Sequence, residues 1–287
     1  MKENALDVYG LTKRYSDFLL NDVSFTVPRG TIVGLIGENG AGKSTTIKTI
    51  LNLIKKDAGQ IEILGKKEQE IDFDTRNRIG VVFDKHNFPV SMSPNNLGKL
   101  LETVYPLWDR NRYGELLKNL SLPANRKIKK LSKGMKMKLA IAAALSHHSE
   151  ILILDEATSG LDPIVRDDIL DLLLEFVQEE NHSILISSHI TSDLEKIADY
   201  IVFLHEGKMI FSKTKDELRY YYGIMKCGTA QFKKIDKSDI VAYRKQDFEW
   251  QVLVANRKEA QKKYPNSIID PATLDDIMLL FIKGESK

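Results

Sequence analysis

Cysteine is almost missing: Cys227 stands alone among 287 residues. One thiol cannot close an internal disulfide or build a cysteine metal cage, so the chain fits a reducing cytosol and Cys227 reads as a small buried hydrophobe. Long apolar runs are missing as well. Stretches such as residues 139–145 fall far short of the roughly 18 to 20 residues that cross a bilayer, and residues 1–7 lack the apolar core of a signal peptide. The chain itself is expected to stay outside the membrane. Nor is there an excess of one charge. With 42 basic and 40 acidic residues the net charge is +2, which gives no overall drive toward nucleic acid despite the basic cluster at residues 126–130. Nucleic acid is not an expected partner. What is present is ample for folding, because 43% hydrophobic residues at this length support one large α/β domain and a smaller one.

The chain is organised around residues 31–44, where Ile32, Val33, Leu35 and Ile36 run into Gly37-Glu38-Asn39-Gly40-Ala41-Gly42-Lys43-Ser44, with Thr45 next as a further nucleotide-binding candidate. A short apolar strand thus meets a glycine-rich turn that opens a helix. Gly37, Gly40 and Gly42 remove the side chains that would hold a polyanion away and can take positive φ, so successive N–H groups point into one concavity. The helix that follows adds orphan N–H donors and the positive end of its dipole. Lys43 brings a full charge to the β/γ-phosphates, and Ser44 a hydroxyl for Mg²⁺. Glycines alone could mark an unrelated turn. G-x-x-x-x-G-K-S between an apolar strand and a helix with Ile47, Ile50, Leu51 and Ile54 at helical spacing points to a nucleotide-binding P-loop.

Upstream, residues 5–33 alternate apolar and polar through Leu6, Val8, Val23, Phe25 and Val27, which predicts strands of a sheet. Tyr15 falls in the turn between them, equally suited to stacking on a base or to edge packing. Two further strands are predicted at residues 60–65 and 79–83, followed by a loop at residues 84–94 with exposed-looking Phe88, Pro89 and Met92. The periodicity then turns helical from Asn96 to Leu145, a helical insert at about residues 91–150. Ser132 and Gly134 sit at the start of its last helix, with Ser132 as N-cap. Next, residues 151–154 are apolar and end in Asp155 and Glu156, where a soluble strand would place one polar residue. Asp155 can hold the Mg²⁺ water shell, and Glu156, pointing elsewhere, can polarise a water aimed at the γ-phosphate. A second buried strand at residues 183–188 ends in His189, at the carboxyl edge where parallel sheets bind ligands. Asp162 and Pro163 begin a scaffold helix, and Ser192 with Glu195 is read as a capping box. The core is expected to end near residue 212, followed by a small α+β appendage.

In order, the P-loop, Leu131-Ser132-Lys133-Gly134-Met135, the strand ending at Glu156, Ser159-Gly160-Leu161-Asp162 and His189 resemble the Walker A, signature, Walker B, D-loop and switch-histidine motifs of ABC transporter ATP-binding subunits, over residues 5–212. The resemblance implies an α/β P-loop NTPase core with an N-terminal antiparallel β subdomain, a helical insert and a small C-terminal α+β extension (213–287). It also implies ATP and Mg²⁺ as ligands, and a head-to-tail pair of such domains, homodimeric or heterodimeric. Each ATP would lie between the P-loop of one subunit and Ser132 and Gly134 of the other, with Tyr15 against adenine. A separate transmembrane permease is the implied partner, and the inner face of the cell membrane the implied place of work. Four positions in three motifs depart from the family pattern. Asp84 stands where a glutamine is usual, Lys133 and Met135 replace the usual glycine and glutamine, and Ala157 replaces a proline. At that position Asp84 would meet Mg²⁺ or the attacking water. Lys133 to Lys136 together with residues 105–109 resemble the bacterial exporter subgroup that handles peptides, antibiotics or ions. The alternative is a soluble ABC-type ATPase of translation or DNA repair; such chains carry two cassettes or a long coiled coil, and this one has a single P-loop and no sustained heptads.

Overall fold

The computed structural model describes residues 4–84 and 88–286. Three residues of the 84–94 loop, Lys85, His86 and Asn87, lie outside the described set. Two compact units emerge. The first takes the chain up to Ala198 together with Val202–Ser212, the second Asp199–Ile201 and the chain from Lys213.

The first unit opens with β1 (Asn4–Arg14) and β2 (Leu19–Pro28), whose alternate residues Leu6, Val8, Leu11, Val23 and Val27 are fully buried. The central elements follow: β3 (Ile32–Ile36), α1 (Lys43–Ile50), β4 (Ala58–Ile63), β5 (Lys66–Lys67), α2 (Phe73–Asn77) and β6 (Ile79–Phe83). The insert comprises α3 (Pro94–Glu102), α4 (Arg110–Asn119) and α5 (Lys133–Leu145). After it come β7 (Ile151–Asp155), α6 (Pro163–Phe176), β8 (Ser183–Ser188), α7 (Thr191–Ile197), β9 (Tyr200–His205) and β10 (Lys208–Thr214). An antiparallel sheet has the order β2-β1-β4-β5, and a six-stranded sheet the order β10-β9-β3-β8-β7-β6.

The second sheet positions the site. Strands β3, β7 and β8 are buried at every residue, as near-continuous Ile, Leu and Val runs require when both faces are covered. Parallel register sets Ile36 beside Ser188, Ser187 beside Asp155, and Asp155 beside Phe83. Gly37, His189, Glu156 and Asp84 therefore leave the sheet at one edge.

The insert's helices begin where short polar side chains cap them: Ser93, Asp109 and Ser132 each accept a hydrogen bond from the third residue on. Gly98 has no side chain because a Cβ there would sit 2.6 Å from the Tyr113 ring. Burial holds the Tyr113 phenol well above its ordinary pKa, and its hydroxyl donates to Pro94 O at 2.9 Å. The Ser192 capping box is not found. The chain turns directly after β8, Ser188 Oγ accepts from Ile190 N, and α7 starts at Thr191, leaving Ser192 inside the helix.

The second unit runs through α8 (Lys215–Tyr221), β11 (Gly223–Cys227), α9 (Thr229–Phe232), β12 (Ile240–Lys245), β13 (Trp250–Val254), α10 (Arg257–Lys263), β14 (Ile269–Pro271), α11 (Leu274–Lys283) and β15 (Glu285–Ser286). Its sheet, β14-β11-β13-β12-β15, has its own core of Met225, Cys227, Val252, Val254 and Ile269. Cys227 is buried as the composition suggested, and burial pushes its thiol pKa up.

His147 links the insert to the end of α2. It is 2% exposed, stacks on Tyr105 with centroids 4.2 Å apart, and donates from Nδ1 to Asn77 O at 2.8 Å. Burial depresses its pKa, so the folded state prefers the neutral ring. The sign follows: stability is complete above the unfolded value of about 6.5 and is lost as pH falls through the lower folded value. His147→Phe keeps the stack and has nothing to protonate. Between about pH 7 and about pH 5.5 its urea midpoint should fall less steeply than that of the parent; parallel curves would refute this.

Candidate active site

At the shared edge, β3 hands over to the P-loop. Gly37 is needed for close approach, since a Cβ would meet Leu204 O at 2.3 Å. Gly40 and Gly42 take φ of +89° and +109°, while Gly37 is not among the residues with positive φ. The latitude expected of all three glycines is thus used by two, and the third serves space. Gly42 caps α1 in a left-handed conformation, leaving the first-turn N–H groups directed at the loop.

Lys43 is 5% exposed, a buried ammonium that needs partners. It donates to Gly37 O at 2.7 Å and Glu38 O at 3.2 Å, and lies 3.2 Å from Glu156 Oε1. The other oxygen, Glu156 Oε2, is 2.6 Å from His189 Nδ1. A carboxylate only accepts, so Nδ1 carries the hydrogen. Glu156 itself has φ +54°, and its N–H is held by Ser187 Oγ at 3.0 Å. That left-handed turn separates the two adjacent acids. Asp155 faces the other way and accepts at Oδ1 from Ser44 Oγ at 3.0 Å and Ser187 Oγ at 2.7 Å.

A cavity of about 1020 Å³ is lined by Tyr15, Asn39, Gly40, Gly42, Lys43, Ser44, Thr45, Asp84, Asp155, Glu156 and His189. These sequence-predicted residues meet in one place. Gly37, Glu38 and Ala41 shape the loop from outside the lining, and the Glu38 carboxylate turns to His205 Nδ1 at 2.7 Å. Ser132 and Gly134 do not line this cavity; they form the start of α5. Asp84 reaches the wall, with Oδ1 3.0 Å from Lys133 Nζ. Among the described residues no cluster of three or more His, Cys, Asp or Glu could hold a metal by itself.

Ser159, read as the start of the D-loop, lines the cavity too, whereas sequence reasoning missed Phe18, Phe83, Lys48, Leu53 and Ser187. Phe18 lies 6.5 Å from Tyr15 between ring centroids, and a Cβ on Gly42 would meet its ring at 3.0 Å. Its signal was available as a second aromatic in the same turn. Ser187 shows only as a polar residue within a buried strand.

The family model described as ABC transporter matches residues 20–159. The bacitracin transport ATP-binding protein BcrA of Bacillus licheniformis is 35% identical over 246 residues, covering 83% of this chain and 78% of that protein. The lantibiotic transport ATP-binding protein SrtF of Streptococcus pyogenes is 35% identical, covering 74% and 91%. An ATP-binding cassette solved as a dimer in a post-hydrolysis state with ADP and Pi is 25% identical, with a TM-score of 0.64 over 73% of this chain and 98% of that one. Motif order, fold and relatives agree, and the chain belongs to the ABC transporter family as an ATP-binding, ATP-hydrolysing subunit.

Proposed function

We propose that this subunit hydrolyses ATP between two cassettes, with Glu156 as the water-polarising base, and passes the resulting closure to a separate permease that exports its cargo. The observation that carries this reading is the line Lys43–Glu156–His189, built on one sheet edge beside Ser44–Asp155. Lys43 is aimed by two carbonyls and meets the β/γ-phosphates, while Gly37 to Thr45 cradle them with main-chain N–H groups. Glu156 orients water, and the His189 N–H fixes the carboxylate that does so. Tyr15, backed by Phe18, offers its face to adenine. Ser44 Oγ and Asp155 Oδ1 are hard oxygens 3.0 Å apart, a pair that suits Mg²⁺ completed by phosphate and water. When bound, the ion neutralises charge on the β/γ-oxygens.

Ser132 and Gly134 stand at the N-terminus of a 13-residue helix outside the chain's own cavity, which fits service to the nucleotide of a second cassette, identical or related. The permease would dock near the insert. A cleft of about 550 Å³ there is lined by Leu53, Ile71, Val81, Phe83 and Tyr105, and Val90, Val104 and Leu107 are all more than half exposed nearby in sequence. Among the described residues no helix is long and apolar enough to cross a membrane, so the reading places the subunit against the inner membrane face through that partner. Relatives that act in bacitracin and lantibiotic transport support a peptide or antibiotic as exported cargo. They favour this reading over a soluble ATPase of translation or DNA repair, and nucleic acid is not proposed as a partner.

Glu156→Gln keeps the shape and removes the base. ATP should still bind, hydrolysis should fall roughly a hundredfold or more, and an ATP-dependent dimer should accumulate on size exclusion; a parental rate would place the base elsewhere. Lys43→Ala removes the aimed charge, so ATP affinity measured by calorimetry should be lost, and a near-parental affinity would sink the assignment. Val90→Glu should leave ATP hydrolysis by the isolated subunit unchanged and weaken co-purification with the permease. Intact assembly and transport in that variant would overturn the docking surface.

A further inference from the structure

Lys133 is the first residue of α5, directly after its Ser132 cap. A cation there is opposed by the helix dipole, so its position calls for partners elsewhere. Two are present. Nζ donates to Ser159 O at 2.7 Å and lies 3.0 Å from Asp84 Oδ1, an oxygen shut off from solvent. Gly160 leaves the room, since a Cβ there would come within 3.1 Å of the ammonium. One charge thus joins three segments: the start of α5, the residue after β6, and the turn after β7. That turn carries Glu156, whose carbonyl accepts from Ser159 N at 3.1 Å.

We propose that Lys133 is a positioning residue, a clamp that holds Asp84 and the Ser159 main chain against α5 and so fixes the turn that presents Glu156. Two of the departures from the family pattern, Asp84 and Lys133, are then one feature. The opposite charges lie 3.0 Å apart on side chains that are 49% and 40% exposed, and the Ser159 carbonyl takes a further hydrogen of the same ammonium. The clamp touches neither the P-loop main chain nor Lys43. It therefore bears on the rate of the step that Glu156 serves more than on nucleotide affinity. It also turns Asp84 toward a cation of the protein, so that metal binding falls to Ser44 and Asp155.

The inference rests on Glu156 as base, and steady-state ATPase kinetics of the full chain separate the two ideas. Lys133→Ala and Asp84→Asn should each lower kcat roughly two- to fivefold with KM for ATP little changed, and the double variant should be no slower than the slower single. Lys133→Arg, which keeps charge and donors, should retain most of the rate. If Lys133→Ala does not fold, as judged by thermal unfolding, Lys133→Met keeps the apolar stem and takes its place in the cycle. Effects that multiply in the double variant, a loss confined to KM, or an arginine as poor as alanine would each overturn the clamp. Glu156→Gln in the same assay reports on the base alone: a parental rate there fails the underlying reading, whereas a dead Glu156→Gln with multiplying effects at Asp84 and Lys133 fails only the clamp.

Discussion

Parallel register is the constraint on which the site depends. β6, β7, β8 and β3 lie side by side with Phe83, Asp155, Ser187–Ser188 and Ile36 in step, so the next residue of each strand emerges along one line. Asp84, Glu156, His189 and Gly37 are those residues. Their separations are inherited from the hydrogen-bond ladder rather than from loop folding, and rigid strand ends hold functional groups more closely than loops do. Because β3, β7 and β8 are buried on both faces, the ladder cannot shift without disordering the core beneath it.

Charge placement at that edge obeys the cost of burial. An ammonium as enclosed as that of Lys43 is tolerable only if carbonyls or carboxylates replace its water, and Gly37 O, Glu38 O and Glu156 do so. Asp155 is likewise enclosed and takes two serine hydroxyls. The adjacent acids escape mutual repulsion because the left-handed turn at Glu156 sends one carboxylate toward Ser44 and the other toward Lys43 and His189. A β-branched residue at position 156 would resist that conformation.

Much of this was legible in the sequence, for identifiable reasons. Strands β3, β7 and β8 announce themselves as apolar runs, of which β3 runs into Gly37, β7 ends in Asp155 and β8 ends in two serines before His189. The P-loop is legible because only glycine fits at Gly37, Gly40 and Gly42. Pairings across long sequence separations were not. Lys133 with Asp84, Glu38 with His205 and Ser187 with Asp155 each join segments brought together by the sheet, and no local pattern encodes them. Strand β11 carries two glycines at or beside its ends and a lysine, so its alternation is weak in sequence, yet it lies between β14 and β13. Ser192 failed as a cap because tertiary placement of the turn after β8 outweighed a local preference.

The glycines also tie the P-loop to its neighbours in the fold. Gly37 backs onto the Leu204 carbonyl, and Gly207 onto that of Leu19, where a Cβ would come within 2.0 Å. Gly207 N donates to Ala41 O at 3.1 Å, and Asn21 N donates to Gly207 O at 2.8 Å. The turn between β9 and β10 is therefore wedged between the P-loop and the start of β2, with Glu38 and His205 paired across the same junction. Leu19 directly follows Phe18, and Tyr15 N donates to Phe18 O at 2.8 Å. The aromatic face and the phosphate cradle are thus fixed to one turn, and main-chain hydrogen bonds set the spacing between them.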